Sequence, residues 1–564
     1  MRCHHGQPPR RRTAILGTLR EVIRRRTELA EPNIGLAARL ACRRMSGVRP
    51  ADKPVEELAA PAPPKPSQWW IDVTLIAMLL PLAVVARRPE YLFSHAFWLD
   101  EGWVADSVRA PLHQLRLLTS STPIGWTLLL RLIPNVGPPE RLRALPLAFG
   151  VLSVVVAYLL GRQLGRVAAV AAGLAAALAP TALRNHSLKQ YSADAFVVLL
   201  LLWLTARLDA GWSRRRLLAL CLACLPLALV SHATVFVSAA VLGALAVRAL
   251  ADRRWQRLAW IVGLGLGVAA VEAAVYLTFA APGDNPAMQR SWAGDMIPLG
   301  RGLGPAAAFV ATRSADAFAG IGFGPWPLAG AVVTAGLVAL WRLRLPTVAT
   351  AVCLLAAELP VAAASQRYPF LDDRTSLFFT TLLTVCGALG IASLITWSAR
   401  RPLTVPLGVA VAVGAGALLF PAAHAQAMQP MPPSSVRQQV AYVLAHRRPG
   451  DVVVVGAAAS FPFAYYWPER PTFAPTTVAT AVLFQVDYPG RPDFVLVRGR
   501  RPALIDNAVR QAAALSGSRR VWLVLSEAGD RNPAWSQVAG RVGHTRRRSP
   551  WLVEVDRGVG GRRD

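Results

Sequence analysis

Three short stretches of this chain bring together residue types that could do chemistry. The first is Phe97-Trp98-Leu99-Asp100-Glu101-Gly102-Trp103, two adjacent carboxylates set between aromatics. A carboxylate there can act as a general base on a hydroxyl, or hold a divalent cation (Mg or Mn) beside a phosphate. A bland reading has equal weight: Asp100 caps the helix that follows, and Glu101 is solvated in an interfacial aromatic belt. The second stretch is Arg184-Asn185-His186-Ser187-Leu188-Lys189-Gln190-Tyr191-Ser192-Ala193-Asp194. Apart from Lys53 and Lys65 near the N-terminus, Lys189 is the only lysine. Arg184 and Lys189 beside an apolar run suit a bound anion, against the competing reading of a snorkelling pair among lipid headgroups. The third stretch is Gln366-Arg367-Tyr368-Pro369-Phe370-Leu371-Asp372-Asp373-Arg374. Arg374 stands at the lip of an apolar run, and Asp372 or Asp373 can pair with it or cap a helix.

What must position these residues is membrane-embedded. The chain has 564 residues, 54% of them hydrophobic, and a mean hydropathy of +0.38. That is too apolar for a soluble enzyme of this length. The formal charge of +29 does not indicate nucleic acid, because the arginines fall in short clusters between apolar runs. Apolar runs lie at 70–86, 144–160, 167–183, 194–208, 217–231, 233–250, 258–280, 326–341, 347–364, 375–397 and 403–420. Each approaches the ~20 residues that cross ~30 Å of hydrocarbon. The expected fold is a polytopic α-helical membrane protein with about eleven spans. Arg162/Arg166, Arg214–Arg216, Arg253/Arg254/Arg257, Arg342/Arg344 and Arg400/Arg401 share one side if the N-terminus is cytoplasmic. This makes the chain a multi-pass protein of the plasma membrane, with the three chemical stretches on its outer face. They belong to outer loop 87–143 and two short loops, joined there by a Gly- and Pro-rich loop at 281–325.

Residues 1–69 are Arg- and Pro-rich and read as a disordered basic cytoplasmic tail, with Met45 a candidate start. Residues 70–420 hold the spans. Residues 421–564 change character: Val452–Val455, Phe494–Val497, Val521–Leu525 and Trp551–Val555 read as short buried strands. Helical segments at 434–447 and 502–516 alternate with them, predicting a small C-terminal extracytoplasmic α/β domain of parallel strands. No Gly-rich phosphate fingerprint follows the first strand, so a docking or substrate-guiding role is expected. Cys221 and Cys224 have redox-motif spacing but sit mid-span, as buried apolar side chains do. Glu272 and Glu358 are expected to be protonated or paired packing residues, and His232 an interfacial one.

The Asp100-Glu101 pair in a first outer loop, followed by interfacial helices and many spans, resembles the C-type (GT-C) glycosyltransferase superfamily. The closest resemblance is to its protein O-mannosyltransferase and aminoarabinose transferase branch. It covers about residues 70–420 in topology and is specific only in the three stretches. It implies that Asp100 is the catalytic carboxylate with Glu101 beside it, that the donor is a sugar on a polyprenyl phosphate, and that transfer inverts the anomeric carbon. The string Lys189-Gln190-Tyr191-Ser192-x-Asp194 resembles the second outer loop of that family, implying that Arg184, Lys189 and Tyr191 hold the lipid phosphate. The Arg-Tyr-x-x-Pro element of related transferases is only approximated, since Pro369 follows Tyr368 directly; Arg374 is the preferred second cation. The acceptor would be a hydroxyl of a glycan, lipid or protein. Two other classes use the same cations without catalysis: a transporter or flippase for a lipid-linked intermediate, and an assembly protein that presents its C-terminal domain.

Overall fold

The computed structural model describes residues 66–557 except 120–121, 135–137, 186, 284–285, 344, 399–418, 427, 429–433, 476–483 and 528–529. The tail expected at 1–69 lies outside the described residues as far as Lys65, and so do Met45, His186, Arg344, Arg400 and Arg401. The eleventh apolar run, 403–420, falls outside them up to residue 418.

Each of the first ten apolar runs is a helix. They are Pro66–Ala86, Ala144–Arg162, Arg166–Leu178 continued by Pro180–Arg184, Tyr191–Ala210, Arg214–Val230, Thr234–Ala251, Trp255–Val275, Trp326–Arg342, Pro346–Ala364 and Leu377–Ser398. Among the described residues, seven helices are long and apolar enough to cross a membrane by length and composition, against about eleven expected. Where apolar helices meet in lipid, close packing of small residues replaces the hydrophobic effect as the adhesive. Gly336 and Gly390 show this: a Cβ on Gly336 would lie 1.9 Å from the Cys386 carbonyl oxygen, and one on Gly390 2.2 Å from that of Val332. The helices Trp326–Arg342 and Leu377–Ser398 therefore cross backbone to backbone.

The two ends of the helical layer differ in chemistry. At one end, Asp72 accepts hydrogen bonds from Tyr158 (2.7 Å), Arg162 (3.1 Å) and Arg166 (3.2 Å). Asp209 there takes the Arg248 guanidinium and the Thr347 backbone N–H. At the far end of the first helix, Arg87 donates to the Ala83, Ala176 and Ala177 carbonyls. By connectivity, the three chemical stretches share this second end, and the described arginine clusters share the first. The loop expected at 281–325 is not all irregular: Leu303–Gly320 is a helix, formed over an Ala-rich run that favours that conformation.

Among the described residues seven strands follow: β1 Val452–Val455, β2 Thr472–Pro475, β3 Phe484–Asp487, β4 Phe494–Leu496, β5 Val521–Val524, β6 His544–Ser549 and β7 Leu552–Asp556. Five form a sheet in the order β4-β1-β5-β7-β6, while β2 and β3 pair separately. β4, β1 and β5 are parallel as expected, but β7 runs antiparallel to β5, because it returns through a tight hairpin from β6. The flanking helices Val436–His446 and Pro502–Ser516 stand where they were expected. Side chains alternate across the sheet. Val452, Val454, Val521 and Leu523 pack on one face with Val538. Val453, Val455, Trp522 and Val524 on the other share a core with Trp103, Ala110 and Leu118 of the 87–143 connection.

Candidate active site

Asp100 lies in the helix Leu99–Arg109, whose first turn carries both acidic residues where the helix dipole favours them. Asp100 is not the cap: Trp98 holds that position, in extended backbone, and no side chain caps the helix. Arg374 donates from Nη1 to Asp100 Oδ2 at 3.2 Å, and Lys189 Nζ lies 3.8 Å from the same oxygen. Three loops far apart in sequence thus converge on one carboxylate, which keeps 19% side-chain exposure.

Aromatics frame the two cations. The Lys189 ammonium lies 5.1 Å from the Trp103 ring centroid, and the Arg374 guanidinium lies 5.9 Å from Trp98 and 5.7 Å from Trp292. Burial pulls the Lys189 pKa below the ordinary lysine range; Asp100 opposes the shift and Arg374 adds to it. Burial also works against the Arg374 charge, but the Tyr191 hydroxyl, Asp100 and Asp372 outweigh it and the pKa rises. His232, in the turn after Arg214–Val230, is held down to about 4 by burial and by the Lys189 charge, so it stays neutral beside the site. Tyr191 is buried within electrostatic reach of Asp100 and Arg374.

Two expected site residues are placed otherwise. Glu101 is fully buried, and its two oxygens are taken by a bidentate fork from Arg143, Nε at 2.8 Å and Nη2 at 2.5 Å. The Leu188 backbone N–H adds a third bond at 2.9 Å. With no exposed oxygen, Glu101 ties the Asp100 helix to the Lys189 loop. Arg184 pairs with Asp373, not with Asp100. Asn185 donates to the Asp373 carbonyl at 3.0 Å, so this contact joins the two short loops. Asp372 accepts from the backbone N–H groups of Arg374 (3.2 Å) and Thr375 (3.0 Å), ordering the turn that presents Arg374.

Sequence reasoning missed Arg143, which looks like any arginine flanking a span, and a set of buried polar groups near the site residues in sequence. Among the described residues, Trp98 Nε1, Ser187 Oγ, Gln190 Oε1, Ser192 Oγ and Ser376 Oγ are buried without a protein partner. Such groups cost free energy unless something else satisfies them. All belong to the segments around Asp100, Lys189 and Arg374.

No protein-family model and no curated protein sequence matches the chain. Solved structures do. ArnT from Cupriavidus metallidurans in the apo state aligns with a TM-score of 0.53 at 14% identity, over 87% of this chain and 98% of that one. The Archaeoglobus fulgidus oligosaccharyltransferase in complex with Zn and sulfate aligns with a TM-score of 0.51 at 13% identity, over 80% and 68%. The archaeal oligosaccharyltransferase AglB from the same organism, in complex with an inhibitory peptide and a dolichol-phosphate, gives 0.50 at 13% identity, over 82% and 70%. The chain has the GT-C fold.

Within this GT-C fold the residues around Asp100 do not suit the divalent cation, Mg or Mn, that the sequence left open. Among the described residues no three His, Cys, Asp or Glu side chains gather as a preformed metal site. Two protein cations already face one oxygen of the Asp100 carboxylate, where their charge opposes a bound metal ion.

Proposed function

We propose that this membrane protein is an inverting glycosyltransferase that moves a sugar from a polyprenyl-phosphate donor to an acceptor hydroxyl on the outer face. The observation that carries the reading is the meeting of Asp100 with Lys189 and Arg374 at one end of the apolar helices. A polyprenyl tail stays in hydrocarbon while its phosphate reaches the boundary, where these cations stand. The solved AglB complex of the same fold contains dolichol-phosphate, a lipid phosphate of this type. The arginine clusters at the opposite end support a cytoplasmic N-terminus and an extracytoplasmic C-terminal domain.

In this mechanism Asp100 takes the proton of the acceptor hydroxyl as that oxygen attacks the anomeric carbon. The bond from that carbon to the phosphate oxygen breaks, and the charge developing on the phosphate is compensated by Lys189 and Arg374. Arg184 acts at one remove, through Asp373 in the turn that presents Arg374. The partnerless Ser and Gln side chains supply hydrogen-bonding groups for sugar hydroxyls.

The test is a membrane assay with labelled polyprenyl-phosphate sugars. Asp100→Asn keeps the size and loses the base, so transfer should fall by about 100-fold or more while donor binding persists. Unchanged transfer would remove Asp100 from the chemistry. A transporter or assembly protein built on the same cations would show no labelled acceptor with either protein.

A further inference from the structure

The C-terminal domain meets the Asp100 helix at its entry, middle and exit. At the entry, both backbone groups of Phe97, three residues before Asp100, are held by side chains of that domain. The Phe97 N–H donates to the Tyr466 hydroxyl at 2.8 Å, and the Ser434 hydroxyl donates to the Phe97 carbonyl at 2.7 Å. The Tyr466 hydroxyl is itself fixed by donating to Glu140 at 2.9 Å.

In the middle, the helix Ser460–Tyr466 lies directly on the helix Leu99–Arg109. A Cβ on Gly102 would stand 2.5 Å from the Pro462 nitrogen, so only glycine permits this approach. Trp103 stacks on Phe461 with ring centroids 6.0 Å apart, and the same indole lies 5.1 Å from the Lys189 ammonium. At the exit, Arg109 donates to the Tyr465 carbonyl at 2.6 Å and sits 3.5 Å from that ring's centroid.

A domain that merely guides substrates needs none of this. We infer that the C-terminal domain positions Asp100: Tyr466 and Ser434 fix the backbone from which the Asp100 helix starts, and Pro462 fixes its depth. The inference rests on Asp100 being the base. A base is sensitive to such placement, because a displacement of ~1 Å can cost about 100-fold in rate. Lys189 and Arg374 come from other loops, so Tyr466 and Ser434 reach donor binding only at second hand, through the Glu101 bond to Leu188 and the Asp100 contacts.

The experiment is a kinetic comparison of the full-length protein with Tyr466→Phe/Ser434→Ala, alongside Asp100→Asn and a control, Val538→Ala. Val538 is buried on the opposite face of the sheet, so that control weakens the same domain away from the junction. The double variant should lose about tenfold or more in kcat with a much smaller change in KM for the donor, while Val538→Ala keeps the wild-type kcat. Wild-type kcat in the double variant, beside an inactive Asp100→Asn, would overturn the positioning role alone. Parallel losses of kcat and donor affinity in the double variant and in Val538→Ala would also overturn it, because general weakening of the domain would then suffice. Full activity of Asp100→Asn would overturn the base and the positioning role together.

Discussion

Lys189 is a charged group that burial disfavours and Asp100 retains. If its ammonium holds the donor phosphate, binding needs the protonated form, and affinity should fall as pH rises through its lowered pKa. Lys189→Ala should weaken polyprenyl-phosphate binding by about 10- to 100-fold, the range of one charge-assisted bond. Lys189→Arg, charged at any working pH, should flatten the alkaline limb of the binding curve. Titration of binding in nanodiscs across neutral to alkaline pH checks both; identical curves for the wild type and Lys189→Arg would remove Lys189 from the phosphate site. His232 does not confuse the profile, because it is neutral throughout that range. At this scale the sequence made Lys189 conspicuous through its isolation and its placement against the charge rule for loops. It could not separate Asp100 from Glu101, which have the same chemistry one residue apart. Their difference lies in a 100° turn of the helix, which sends one toward Lys189 and Arg374 and the other into the Arg143 fork.

The helix Leu99–Arg109 carries a second buried carboxyl, Asp106, which is 2% exposed and has one oxygen without a partner. Burial raises its pKa well above the ordinary carboxylate value, with the Arg109 charge opposing weakly. The sign follows: above pH ~4 the unfolded chain loses this proton and the folded chain keeps it. The folded state therefore loses stability as pH rises from ~4 toward the raised pKa. Asp106→Asn removes that penalty, so at neutral pH the variant should be more stable than the wild type by about 1–3 kcal/mol. Thermal melts at pH 7 and pH 4 check this, with the gap closing at the lower pH; a variant that melts below the wild type at pH 7 would refute it. Elements of this kind were unevenly legible. Ten apolar helices followed from hydropathy alone, because lipid demands long apolar runs. β6 did not, since His544-Thr545-Arg546-Arg547-Arg548-Ser549 has no apolar alternation and is a strand only through its pairing with β7.

At the scale of the whole molecule, the apolar helices and the C-terminal sheet are not two modules joined by a linker. The helix Leu99–Arg109 contributes Trp103 to the core of the sheet domain and Asp100 to the site, so one helix belongs to both. The composition shift near residue 421 was readable in sequence, but this shared core was not, because it joins segments more than 300 residues apart. In the proposed transfer, the same assembly balances the charge. A loose phosphate leaving group needs positive charge where it departs, and a divalent ion or fixed side chains can supply it. Here Lys189 and Arg374 are held in place by Trp103, Trp98 and the Asp372 turn, and no acidic cluster accompanies Asp100 among the described residues. Transfer should therefore survive exhaustive EDTA treatment at its full rate, and added Mg or Mn should not raise it. Measured rates of the chelated and metal-supplemented protein check this. Loss of activity on chelation with recovery in Mg or Mn would mean that the two cations do not suffice, and that a metal site completes the charge compensation.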